Sequence, residues 1–212
     1  MVSFRSVVAL GAISLSAANG LAIDSGVPHG YKMVELSWEV RPFLDNRTVI
    51  INGTVERVFD ELLETNPQYM ADFAAMGETA TTPSAEPVDA QLSGKLPRPL
   101  CDWGNLGAKP GVIREGIRYL RTILGAPALG PGPHECGQVS CSFSSAITWC
   151  NDRKENKKLE SFSDIADLAQ IILDKCAQPN GRSVYGSQTY SDYTWYVRVH
   201  GRDDPDGPTI CQ

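Results

Sequence analysis

Imidazoles are the side chains best suited to proton transfer near neutral pH, and two of them, His134 and His200, lie in the cysteine-bearing part of this 212-residue chain. Either or both could work with Glu135, the neighbour of His134, or with another carboxylate in the acid–base chemistry of a ribonuclease-like or other hydrolytic site. Yet His134 belongs to a Gly130-Pro131-Gly132-Pro133-His134-Glu135 loop and His200 closes a strand pattern. Isolated imidazoles in such places are more often idle than catalytic. Gly-x-Ser-x-Gly, His-Glu-x-x-His and phosphate-loop motifs are absent from the sequence. The residues therefore favour a protein that is not an enzyme and needs no cofactor.

The six cysteines are the second chemical group, and all fall between Cys101 and Cys211. No Cys-x2-Cys pair occurs among them, which argues against zinc or another metal. Met1 to Ala22 reads as a secretory signal peptide, with Arg5, an apolar run from Val7 to Leu15 and small residues before a cut after Ala22. That run is too short for a transmembrane anchor. A secreted chain matures in an oxidising compartment, so Cys101, Cys136, Cys141, Cys150, Cys176 and Cys211 are expected in three disulfides. The sequons at Asn46 and Asn52 fit a secreted glycoprotein.

Charge offers candidate contact surfaces. Residues 1–98 carry 7 Lys/Arg against 12 Asp/Glu, and residues 99–212 carry 12 against 13. The formal net charge of −6 speaks against general nucleic-acid binding. Arg114, Arg118 and Arg121 recur at helical spacing as a basic stripe, and Arg153, Lys154, Lys157 and Lys158 form a second cluster. Either could face an acidic partner, although solvated helix faces and loops look the same. Tyr185, Tyr190, Tyr193 and Tyr196 crowd the approach to the last strand, and Tyr196 falls on the face opposite Trp195.

Hydrophobic periodicity supplies the elements that must hold these residues. In residues 23–75, Val34 to Val40 alternate as a strand, Val49 and Ile51 continue on a second, and Thr54 caps a helix from Val55 to about Glu64. This ββα unit is too small to bury a core by itself. Residues 76–98 read as a flexible linker ending in a candidate processing site, Arg98. In residues 99–212, a strand carries Cys101, and a helix follows with Ile113, Ile117, Leu120 and Leu124 on one side. Gly125 to Pro133 reads as a connector. A hairpin spans Gln138 to Asn151, with Val139, Cys141 and Phe143 sharing a face. Ser163 caps a second helix bearing Ile165, Leu168, Ile172 and Cys176, and a final strand runs from Tyr193 to Val199.

This order, β-α-β-β-α-β, predicts an α+β fold. It would be a two-layer α/β sandwich of split βαβ (ferredoxin-like) type, with two helices on a four-stranded antiparallel sheet. Strand order 4-1-3-2 would pair Cys101 with Cys150 and Cys141 with Cys176, leaving Cys136 for Cys211. That is one of fifteen connectivities.

The strings Cys136-Gly137-Gln138-Val139-Ser140-Cys141-Ser142 and Ser145-Ala146-Ile147-Thr148-Trp149-Cys150-Asn151-Asp152 resemble small secreted cysteine-rich fungal proteins. Ile165-Ala166-Asp167 and Gly186-Ser187-Gln188 add to the likeness. The group includes killer toxins and necrosis-inducing extracellular effectors, and the resemblance covers about residues 100–212. It implies a disulfide-stapled α/β sandwich matured from a precursor by cleavage at a basic site such as Arg98, which would make the first part a propeptide. It also implies a secreted, extracellular effector that reaches the host apoplast or a host cell and contributes to virulence. Such a protein binds a host or competitor protein, a secreted protease or a membrane channel being candidates. A hydrolytic toxin and a structural cell-wall-associated protein are the alternatives.

Overall fold

The computed structural model describes residues 30–45, 47–76, 96–102, 107–201 and 211. The signal-peptide reading with its cut after Ala22, the Asn46 sequon and most of the linker lie outside these residues.

Alternation in the first segment produces two strands rather than one, because the chain changes sheet at Leu36. β1 (Lys32–Val34) runs parallel to β6 (Glu135–Ser142), whereas β2 (Ser37–Val40) joins β3 (Val49–Asn52) in another sheet. Leu36, Trp38 and Val40 are buried between them. Thr54 takes the N-cap position of α1 (Val55–Thr65), though without a side-chain cap hydrogen bond. Val55, Val58, Phe59 and Leu62 form its buried side. A second helix, α2 (Tyr69–Ala75), follows the Asn66-Pro67 stop and buries Tyr69 and Phe73.

Beyond β4 (Leu100–Cys101), Pro110 starts α3 (Pro110–Thr122), where a missing N–H costs nothing. Ile113, Ile117 and Leu120 point inward as their spacing requires, and Leu124 is buried just past the helix end. The segment after it is no mere connector: β5 (Gly125–Leu129) pairs with β2 and with the short β8 (Lys157–Lys158). β6 and β7 (Ser145–Asn151) make the expected hairpin. α4 (Ser163–Cys176) starts one residue earlier than a Ser163 cap would allow; Phe162 is the N-cap and Ser161 Oγ accepts the Ser163 N–H at 3.1 Å. β9 (Gly186–Thr189) and β10 (Trp195–His200) complete the described elements.

These strands form a six-stranded sheet, β1-β6-β7-β10-β9-β4, and a four-stranded sheet, β3-β2-β5-β8. The class is α+β, but the four-stranded ferredoxin-like order 4-1-3-2 is not what forms. Gly186–Thr189 is itself a strand, antiparallel to β10, and it lies between β10 and β4. β4 is displaced to the outer edge, and β10 pairs instead with β7. α3 and α4 lie side by side on one face of the large sheet. The small sheet closes the same core, with Trp38 stacked on Phe162 at 5.0 Å.

All six cysteines are bridged, with pairings different from those expected: Cys101–Cys176, Cys136–Cys150 and Cys141–Cys211. Cys101 and Cys150 are separated because β9 and β10 intervene between β4 and β7. At about 4.8 Å per strand that is roughly 14 Å, twice the span of a disulfide. A β-bulge between Gln138 and Ser140 undoes the second expected pair. It turns both Val139 and Ser140 to the helices, so Cys141, opposite Ala146, emerges on the helix-free face, away from Cys176. Phe143 lies in the exposed turn. Cys136 meets Cys150 directly across the ladder, which leaves Cys211 to Cys141.

Candidate functional site

Period-2 alternation on β10 sends Trp195, Val197 and Val199 into the core and leaves Tyr196 and Arg198 on the helix-free face. Register places Thr189 opposite Tyr196 and Ser187 opposite both Arg198 and Leu100. Together with Asp102, Asp152 and Tyr185 they line a groove of about 510 Å³.

The groove's polar groups are held in place. The Arg198 guanidinium lies over the Tyr185 ring, 5.1 Å from its centroid, and donates to the Tyr185 hydroxyl. Tyr196 bonds to the hydroxyl of Tyr31, which donates to Asp152 Oδ1 at 3.2 Å. Burial is the main cause raising the pKa of both Tyr31 and Tyr196, so both remain neutral phenols across the physiological range. At the end of this relay, His134 Nδ1 stands 3.7 Å from Asp152 Oδ1, with the Tyr31 and His134 rings 4.6 Å apart. Such a set offers a fixed cation, carboxylate acceptors, phenolic donors and aromatic faces: the chemistry of recognition. Among the described residues, no group of three or more His, Cys, Asp or Glu side chains could hold a metal ion, and no helix is long and apolar enough to cross a membrane.

The two histidines separate sharply. His200 is fully buried; Nδ1 donates to the Gly201 carbonyl and Nε2 accepts from the Thr148 hydroxyl, each at 2.9 Å. Burial, helped by the Arg198 charge, lowers its pKa to about 4. It is a neutral structural imidazole with no route to a substrate. His134 is exposed and keeps only the Asp152 contact needed for acid–base work; its neighbour Glu135 faces Lys32 at 3.7 Å.

Of the predicted binding residues, Tyr196 alone lines the groove. Arg114, Arg118 and Arg121 belong to α3, on the other side of the large sheet. Arg118 pairs with Glu115 at 3.0 Å and Arg121 with Asp167 of α4 at 3.1 Å. Arg153 and Lys154 are exposed in the turn just after Asp152, while Lys157 pairs with Asp192 at 3.4 Å and Lys158 with Glu39 at 3.5 Å. Four of these seven basic residues thus carry local acidic partners. Tyr190 stacks on Trp195 at 4.9 Å, and Tyr193 is exposed in the turn before β10. Asn52 is exposed at the end of β3, accepting from Ser37 Oγ at 2.7 Å. Arg98 is exposed between two prolines, and the carbonyl of Pro97 accepts from Gln188 Nε2 at 3.0 Å.

Sequence reasoning missed Arg198, although the alternation that singled out Tyr196 also selects the residue two further on. Tyr31, Asp102 and Asp152 had no such signal; only the tertiary fold brings them to β10.

No family model, curated protein or solved structure matches the chain. Its site is therefore read from its own geometry.

Proposed function

We propose that this is a secreted target-binding protein of the effector or killer-toxin kind, whose contact surface is the groove around Tyr196 and Arg198. The observation that carries the reading is the groove's composition. Two tyrosines and an arginine, residue types favoured at binding hot spots, stand beside two carboxylates on a disulfide-stapled sheet, Arg198 and Tyr185 fixed on each other and Tyr196 on Tyr31. Pre-organised anchors of this kind lose little entropy on binding. Three disulfides are compatible with an extracellular setting. The target is a host or competitor protein, a secreted protease being one candidate.

Capture from host extracellular fluid with the wild-type protein and with a Tyr196→Ala/Arg198→Ala variant tests the reading. The expected result is a target whose affinity falls about tenfold or more in the variant. Equal capture by both would place the contact surface elsewhere.

A second reading rests on the His134–Asp152 pair. In a hydrolytic toxin, His134 would transfer the proton while Asp152 orients the ring. RNA cleavage lost in His134→Ala and kept in His200→Gln would favour it over the binding reading.

A further inference from the structure

We infer that residues 30–76 are a permanent part of the working protein, so that a cut between Met76 and Pro99 yields a two-chain molecule rather than a shortened one. A propeptide that leaves must come away from a domain that is complete without it. Here the core is shared. Trp38 stacks on Phe162, the Phe59 and Tyr119 ring centroids are 4.8 Å apart, and Leu36 fills the space over Gly137, where a Cβ would strike it. The Tyr69 hydroxyl donates to the Thr122 carbonyl at 2.8 Å and accepts from the Leu124 N–H at 2.9 Å. The Glu56 carboxylate takes the Ser140 hydroxyl at the bulge. Backbone ladders continue the attachment, β1 to β6 and β2 to β5. Separation would bare apolar surface and orphan polar groups on both pieces.

Nothing covalent would hold the pieces once cut, because every disulfide lies within 101–211. The Arg98–Pro99 bond is also a poor place to cut. Arg98 is followed by Pro99, whose nitrogen has no hydrogen, and Pro97 is tied to Gln188. Resting on the proposed binding groove, the segment has a second role: Tyr31 is the link between Tyr196 and Asp152, so the groove is complete only with both pieces.

The test inserts a site for a sequence-specific protease within residues 77–95 of the full chain and cuts it. The expected result is two bands on a denaturing gel even without reductant, and a single species of the uncut mass in gel filtration under native conditions. Trp38→Ala in the cut protein should speed fragment loss about tenfold or more, while Tyr31→Phe should leave retention unchanged and weaken target binding. Elution of the smaller fragment by itself, with the remainder folded and monodisperse, would overturn the inference. Co-elution with target binding indifferent to Tyr31→Phe and to the Tyr196/Arg198 variant would sink the groove reading alone.

Discussion

At the residue scale, His200 shows how burial removes a candidate from catalysis and makes it a pH-dependent element of stability. Its folded pKa of about 4 lies below the ordinary imidazole value, so between about pH 6.5 and 4 the unfolded chain binds a proton that the folded chain does not. Stability from this residue is complete above that window and is lost as pH falls through it, by about 3 kcal/mol at the lower end. Asp164 and Asp167 act in the opposite sense, since burial raises both carboxyls. The difference between wild type and His200→Gln isolates the histidine. Urea midpoints measured at pH 5 and pH 7.5 should differ less in the variant; an unchanged difference would refute the assignment.

At the element scale, helix propensity and packing make opposite forecasts for Gly116, in the middle of α3. Replacement by alanine would favour an isolated helix by about 1 kcal/mol. Here the new Cβ would stand 3.0 Å from Ser140 Cβ and 3.1 Å from Ile147 Cδ1, and closer still to the Ser140 hydroxyl bound to Glu56. Packing should win, with Gly116→Ala lowering stability by about 1–3 kcal/mol in denaturant titration. The same bulge that brings Ser140 to α3 governs the disulfides. Peptide mapping without reduction should return Cys101–Cys176, Cys136–Cys150 and Cys141–Cys211. Cys101–Cys176 spans 75 residues and Cys136–Cys150 spans 14, so on loop entropy their paired serine replacements should cost about 4 and about 3 kcal/mol. A larger loss from the short bridge would mean that native-state packing, not loop closure, sets the ranking.

At the scale of the whole molecule, the acidic amino-terminal part and the cysteine-rich remainder look separate in composition yet share one core. Ion pairs even join them, Lys158–Glu39 and Lys32–Glu135. An expression test follows: residues 99–212 produced without residues 30–76 should fail to give a monodisperse protein with native disulfides, and adding the missing segment during refolding should restore it. Recovery of a well-folded 99–212 fragment by itself would contradict the shared core. Composition could not reveal the sharing because Trp38 and Val40 read as one half-buried strand whichever partner covers them. That partner, β5, lies in a Gly/Pro-rich stretch with little strand signal.

Local periodicity alone determined α1, α3, α4, the β6–β7 hairpin and the inward faces of Ile113, Ile117, Trp149 and Val197, because a 3.6- or 2-residue repeat is written in neighbouring residues. It also put Tyr196 on the opposite side from Trp195. Strand order, disulfide pairing and the site were decided by the tertiary structure. One unanticipated strand, β9, moved β4 to the edge, and one bulged residue reversed the face of Cys141. Both effects act through partners remote in sequence: Tyr31 and Asp152, 121 residues apart, meet through a single hydrogen bond that no local pattern encodes.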